Sequence, residues 1–595
     1  MSANFLHGVE TIELKRGPVP VRVVKSAVIG LVGSAPKGPF QALTVVNNAV
    51  EAAQFGQQID GFTIPQALEA IFKQGAGTVL VVNVADTTSN TFTTAVTDEE
   101  VEVENRAAKT AFAPFGTIVL TSDGGGTATP ETRATATYTV STGGASGNAA
   151  SLAAGSTALF NLTLGSNRTT TQLAGDIADS INAGTSTHGY TAAAVGAVVT
   201  ITAPVGSGAG ANGTVLTPTV TGTIAGTATN FSGGVTATDA DIVYTAGTDY
   251  TIDELGNISI LAATSTIAEG ATLKVSYRKF DASTINASRL IGTIASDTGV
   301  KTGMKLFKDA YNMYGFKPKI LITPGYSSLN TVATEMLAVA SEHKAIALLD
   351  APVGTTVAGA ITGRGPLGSI NFNTSSERAW LLYPHWQVYN PVKDANELQP
   401  YSQFAAGVIA ATDNERGYWI SPSNKEIKGV QGPERVISFA INDASTQANQ
   451  LNEAGITCYA SSFGTGFRTW GNRSAAWPTN TNVKNFLVIR RIADIVHESI
   501  ELAMLQFVDE PLDPINRVTI DAILDSVNAF MRTLIGRGAL IQGSRCEFDP
   551  AKNPANVLAA GQIVFDLVFM GPTPAERITF ESFVDQSLLT PPQTA

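Results

Sequence analysis

Residues 318–350 read PKILITPGYSSLNTVATEMLAVASEHKAIALLD, and this stretch decides the fold class. Pro318 to Thr323 is an apolar run of strand length, Leu329 to His343 reads as a helix, and Ala345 to Asp350 is a second apolar run. Strands joined through one helix by short connections form a βαβ unit and lie parallel. Ala379 to Tyr383 fits as a third strand.

The same grammar appears near the start. Ala27 to Val32 is apolar, a loop with Gly33, Pro36, Gly38 and Pro39 follows, and Thr78 to Val84 again has a buried-strand pattern. Between them Phe62, Ala67, Leu68, Ile71 and Phe72 suit one face of a helix over 62–74. Segments 26–96 and 281–440 are therefore expected to form one α/β core, a mixed sheet with flanking helices.

What separates these segments differs in kind. No lysine occurs between Lys109 and Lys274, and between Ala134 and Thr238 the only charged residues are Arg168, Asp176 and Asp179. Alternating runs at 136–140, 160–164 and 197–202, set among Gly-rich turns, predict a large β-rich, sandwich-like insertion. One helix, Leu173 to Ile181, interrupts it. The more charged flanks, 97–123 and 236–280, are expected to build a small β-domain with 124–235 nested inside it. An inserted domain sits at an exposed loop tip, so this one should project from the core.

A C-terminal domain is expected over 441–570, with two amphipathic helices. One stripe carries Ile492, Ile495, Val496, Ile500, Ala503 and Phe507. The other carries Ile520, Ile523, Leu524, Val527, Phe530, Met531 and Leu534, after a break at 509–514. Residues 562–569 follow as a strand through Ile563, Phe565, Leu567 and Phe569, apolar on both faces apart from Asp566, which predicts burial on both sides.

Extended arms are expected at the two ends, 1–25 and 571–595. In the first, Val19, Val21 and Val23 line one side of a strand and Arg22 the other. In the second, set off by Pro572 and Pro574, Ile578 and Phe580 alternate with Arg577 and Thr579 in a strand over 576–584. Neither arm has a local hairpin partner, and an unpaired strand is best satisfied at a sheet edge. Two readings stand side by side. The arms fold back on their own domain, or they add to the sheet of a neighbouring copy, a head-to-tail contact that builds rings or helical filaments.

Catalytic patterns are missing. The histidines His7, His188, His343, His385 and His497 show no metal-ligand spacing, and His385 in the run Tyr383-Pro-His-Trp386 reads as a packed side chain. His497-Glu498 reads as surface or core edge. The loop Gly30 to Gly38 fits no phosphate-binding motif, and Pro36 and Pro39 remove two backbone donors. Cys458 and Cys546 read as small buried residues, not a disulfide framework. No catalytic, metal or cofactor site is expected. A net charge of -12 with only 15% charged residues argues against nucleic acid. The N-terminus lacks a secretory layout and no run spans a membrane, so a cytoplasmic protein without membrane anchoring is expected.

One resemblance ties these features together. Phe5-Leu-His-Gly-Val-Glu10 leads into Ser26-Ala-Val-Ile-Gly-Leu-Val-Gly-Ser-Ala-Pro-Lys-Gly-Pro39. Later come Trp470-Gly-Asn-Arg473, Arg490-Arg-Ile-Ala-Asp494, Gly538-Ala-Leu-Ile-Gln-Gly543, Phe548-Asp-Pro-Ala-Lys-Asn-Pro554 and Pro572-Thr-Pro-Ala-Glu-Arg-Ile-Thr-Phe580. In this order the set resembles the tail sheath proteins of contractile-tailed temperate phages, over residues 1–84 and about 286–595. The resemblance implies a non-enzymatic homo-oligomer of six-fold rings stacked helically around a tail tube protein. Baseplate and tail terminator proteins would be further partners. Contraction would drive the tube through a cell envelope, in a virion assembled in the bacterial host cytoplasm. By the same likeness the arms would add strands to adjacent subunits, with 562–569 in the receiving sheet. The exposed sides of helices 488–507 and 516–535 are candidates for facing the tube. The alternative is a surface adhesin or array protein that uses its β-rich domain for host binding.

Overall fold

The computed structural model describes residues 21–589 apart from 76, 126–130, 237–240, 262–265, 366, 462–463, 465 and 512–516. Two compact units result. One runs to Thr93 and resumes at Phe280; the other is Thr94–Lys279.

The first unit is organised by an eight-stranded sheet. In chain order its strands are β1 (Val28–Gly33), β2 (Leu43–Val46), β3 (Thr78–Asn83), β4 (Ile320–Ile322), β5 (Ile346–Asp350), β6 (Ala379–Leu382), β7 (Ile456–Ala460) and β8 (Arg468–Trp470). Their spatial order is β2-β3-β1-β4-β5-β6-β7-β8. From β3 to β7 all neighbours are parallel, while β2 and β8 close the edges antiparallel. Parallel strands are covered on both faces, which is why VIGLVG, IALLD and ITCYA are continuous buried runs without alternation. Gly30 is required by crowding: a Cβ there would lie 2.9 Å from the Leu321 and Phe307 side chains.

Helices cover the sheet. α1 (Ile64–Lys73) begins with Pro65 in its first turn, where the missing N–H costs nothing, and packs on α3 (Tyr401–Arg416). α2 (Asn330–His343) packs on β4 and β5. The remainder of this unit centres on α4 (Leu487–Met504) and α5 (Val518–Gly536), whose stripes share one apolar cluster with Val21 and Tyr418.

In the second unit, strands from both flanks share sheets. Phe115–Gly125 lies between Asp241–Tyr244 and Thr272–Phe280, with Thr93–Glu102 beyond. Their core holds Leu120, Tyr250, Ile258, Leu273 and Val275. The stretch between the flanks forms a four-stranded and a three-stranded antiparallel sheet around the helix Thr170–Ala183. The core there includes Tyr138, Leu152, Leu173, Ile177 and Ile201. That helix begins with a capping box, Thr169 and Gln172 each satisfying the other's backbone N–H.

Candidate assembly interface

The two terminal segments meet the body at defined points. Val21 is buried and Val23 half-buried against the α4–α5 cluster, while Arg22 points outward. The Val24 N–H donates to Ser499 Oγ at 3.1 Å, and the Lys25 ammonium lies 4.3 Å from the centre of the Phe316 ring. Residues 21–27 take no strand conformation. Val19 lies outside the described residues. Within one chain, then, the base of the first arm packs on its own domain.

At the other end Arg473 forms an anchor. Its guanidinium stacks 3.9 Å over Phe486 and 4.3 Å over Trp477, donates to Asn485 Oδ1 at 2.6 Å, and pairs with Glu576. Beyond Glu576 the chain is exposed: Ile578 is 71% and Phe580 89% accessible, and Phe583, Val584, Leu588 and Leu589 are similarly bare. The strand expected over 576–584 is not formed. No strand follows Val568 among the described residues.

The strand expected over 562–569 is shorter and less buried than its sequence suggests. Only Asp566–Val568 is a strand, antiparallel to Arg545–Glu547 with Leu567 opposite Cys546. Phe565, Leu567 and Phe569 pack inward on the α4–α5 cluster and Ile563 is half-buried, whereas Val564 and Val568 are open to solvent at 42% and 45%. Burial on both sides fails because the sheet has two strands and its outer face is uncovered. An isolated pair of strands is marginal in water and leaves unpaired edges.

The polar face of α4 behaves unlike a solvated helix face. Asp494 accepts from both terminal nitrogens of Arg378, at 2.6 and 2.9 Å, and from Arg490 at 2.8 Å. Arg490 also reaches Glu377 at 2.8 Å, and Arg491 pairs with buried Asp413 at 2.9 Å. Glu498 meets Lys319, whose ammonium also donates to the His343 carbonyl at 2.9 Å. Lys319 and Glu498 are both almost fully buried. The surface or core-edge reading of Glu498 is thus corrected: it is a buried ion-pair partner, while half-buried His497 stands edge-on to Phe569. α4 is buried from Leu487 to Ile500 except at His497, so it presents little exposed side over that length. Sequence reasoning missed this joint. The one signal was the i,i+4 ladder Arg490–Asp494–Glu498, which usually marks a solvated face.

Comparison with known proteins gives these parts a context. The phage tail sheath protein central domain matches residues 299–475, and the phage tail sheath C-terminal domain matches residues 479–585. The tail sheath protein of Burkholderia phage BcepMu is 38% identical over 590 residues, covering 99% of this chain and 98% of that protein. This chain belongs to the phage tail sheath family. The major tail sheath protein of Serratia phage KSP20 is 29% identical over 51% of the chain and 73% of its own length. A crystal structure of a sheath tail protein from Desulfitobacterium hafniense covers 91% of this chain and 92% of that one, at 10% identity and a TM-score of 0.39. The sheath protein is a structural component of a contractile-tailed virion. Its ionic joint spans the two matched domains, with Lys319, Glu377, Arg378 and Asp413 in the central one and Arg490, Arg491, Asp494 and Glu498 in the C-terminal one. Among the described residues no group of three His, Cys, Asp or Glu is placed to hold a metal, and no helix is long and apolar enough to cross a membrane.

Proposed function

We propose that the protein assembles as stacked six-fold rings around a tail tube, and that neighbouring subunits are laced together by their terminal arms. The segment beyond Glu576 adds as a strand to the two-stranded sheet 545–547/566–568 of an adjacent copy, and the segment before Val21 does the same at another edge. Ile563, Phe565, Leu567 and Phe569 belong to the receiving strand; Val19, Ile578 and Phe580 belong to the donated ones. The observation that carries this reading is the pairing of an exposed apolar arm with an uncovered sheet in one chain. Burying each exposed Ile, Phe, Val or Leu of the arm contributes about 1.5–3 kcal/mol, enough to favour a neighbour over water.

Contraction requires two packings of rigid bodies joined by links that survive both. The buried ionic joint supports rigidity of the body, and the arms beyond Glu576 and before Val21 supply the links. The work is then stored in subunit interfaces and drives the tube through a cell envelope when the baseplate releases it. Tube, baseplate and tail terminator proteins are the partners, and assembly takes place in the host cytoplasm.

A photo-crosslinking residue at Phe580 tests the arm exchange. In sheaths assembled from a mixture of isotopically light and heavy chains, cross-links to residues 545–570 should join light to heavy. Cross-links confined within single chains would refute it.

A further inference from the structure

A cavity of about 210 Å³ opens at the carboxyl ends of the parallel strands. It is bordered by Asp350 at the end of β5, Pro324 just after β4, and Gln403 in the first turn of α3. Chain order reverses here, since β1 lies between β3 and β4, and open α/β sheets bind ligands in the crevice at such a point.

The chemistry of the lining is one-sided. The Asp350 carboxylate is 2% exposed and accepts from the Ser402 N–H at 2.7 Å and from Ser327 Oγ at 3.0 Å. Among the described residues no lysine or arginine pairs with it, and the nearby His385 is engaged with Glu434 at 3.6 Å. Burial pushes the Asp350 carboxyl above its ordinary range, and the neighbouring His385 and the Ser402 and Ser327 hydrogen bonds offset this only in part, so further N–H donors would stabilise its charged form. Gln403 is fully buried and its Nε2 donates to Gln399 Oε1 at 2.7 Å, yet its Oε1 receives no donor. The buried Oε1 of Gln66 is equally without one. Surplus acceptors thus sit beside the apolar side chains of Val353, Leu398 and Pro400. The volume is below the roughly 300–1,000 Å³ of drug-sized sites and suits a group the size of one side chain.

We propose that this cavity binds a guanidinium or alkylammonium group, with its N–H donors on Asp350, Gln403 and Gln66 and its carbon stem along Val353, Leu398 and Pro400. The group comes from a free small cation or from an arginine or lysine of a second copy; only the latter source rests on the assembly reading above. Butylguanidine is the probe, titrated calorimetrically into the full-length chain as dispersed subunits and as sedimented sheath. Saturable binding of one molecule per dispersed chain is expected, weakened at least tenfold by Gln403→Leu. Leu398→Trp, at a half-exposed wall position, should weaken it as much while leaving the thermal midpoint unchanged, which guards against misfolding of the first variant. Tetramethylammonium, a cation without donors, should not bind. Binding to dispersed chain but not to sheath identifies the neighbour's side chain as the natural occupant, and binding to both identifies a free cation. Failure of butylguanidine to bind the dispersed chain, or binding that both variants leave intact, overturns the proposal whether or not the chain assembles.

Discussion

Arg378 holds Asp494 with both of its terminal nitrogens, at 2.6 and 2.9 Å, across the boundary between the central and C-terminal sheath domains. Arg378 stands immediately before β6 and Asp494 lies inside α4, so this contact ties the foot of the parallel sheet to the helix that carries the arm-bearing domain. A two-pronged guanidinium–carboxylate pair fixes orientation as well as distance.

Removing one side of that pair should therefore be expensive. Breaking a buried pair costs about 3–5 kcal/mol, and because Asp494 keeps Arg490, Arg378→Ala is expected near 3 kcal/mol. Arg378→Lys should recover only part, since an ammonium cannot reproduce the fork. The midpoint of urea unfolding of the full chain measures both.

His343 should make stability acid-sensitive. Burial favours its neutral form and holds the imidazole down at about 4, against 6.5 when free. Between these values the unfolded chain takes up a proton that the folded chain refuses. Its contribution is complete above about pH 6.5 and is lost as pH falls towards 4, by up to about 3 kcal/mol. His343→Phe should flatten the slope of stability against pH in that window, as unfolding curves at a series of pH values would show.

Both thiols should be inert in the native protein. Burial pushes Cys458 up to about 12 and Cys546 up to about 11, so neither supplies thiolate near neutral pH. Iodoacetamide should label neither residue in buffer and both in denaturant, as read by mass spectrometry. Fast native labelling of Cys546 would mean that the 545–547/566–568 sheet opens readily.

The second unit should be dispensable for folding. The chain leaves and re-enters the first unit side by side, where the Asp281 N–H donates to the Phe92 carbonyl at 2.8 Å and Phe280 stacks on Phe62 with ring centres 4.0 Å apart. Replacing residues 95–279 by a short Gly-Ser linker should leave a folded first unit that still assembles, with thermal unfolding and electron microscopy as the checks.

The legibility of the sequence followed the physics of burial. Strands such as β1, β3 and β5 were readable because covering on both faces leaves an unbroken apolar run. α3 went unread, since Tyr401–Arg416 is buried almost all round by small and polar side chains and so carries no stripe. The buried polar face of α4 was not legible because partners more than a hundred residues away in sequence, Glu377 and Arg378, turn it inward. At the arms the residue pattern was plain. Its structure was not, since Ile578 and Phe580 stay exposed in the single chain.

The central claim, assembly through donated arms, is tested most directly by negative-stain electron microscopy of the full chain beside one ending at Pro572. The account predicts tubes or stacked rings from the full chain, and dispersed subunits with an unchanged thermal midpoint from the shortened one. Equally good tubes from both, or a full chain that stays monomeric across concentration and salt, would contradict it.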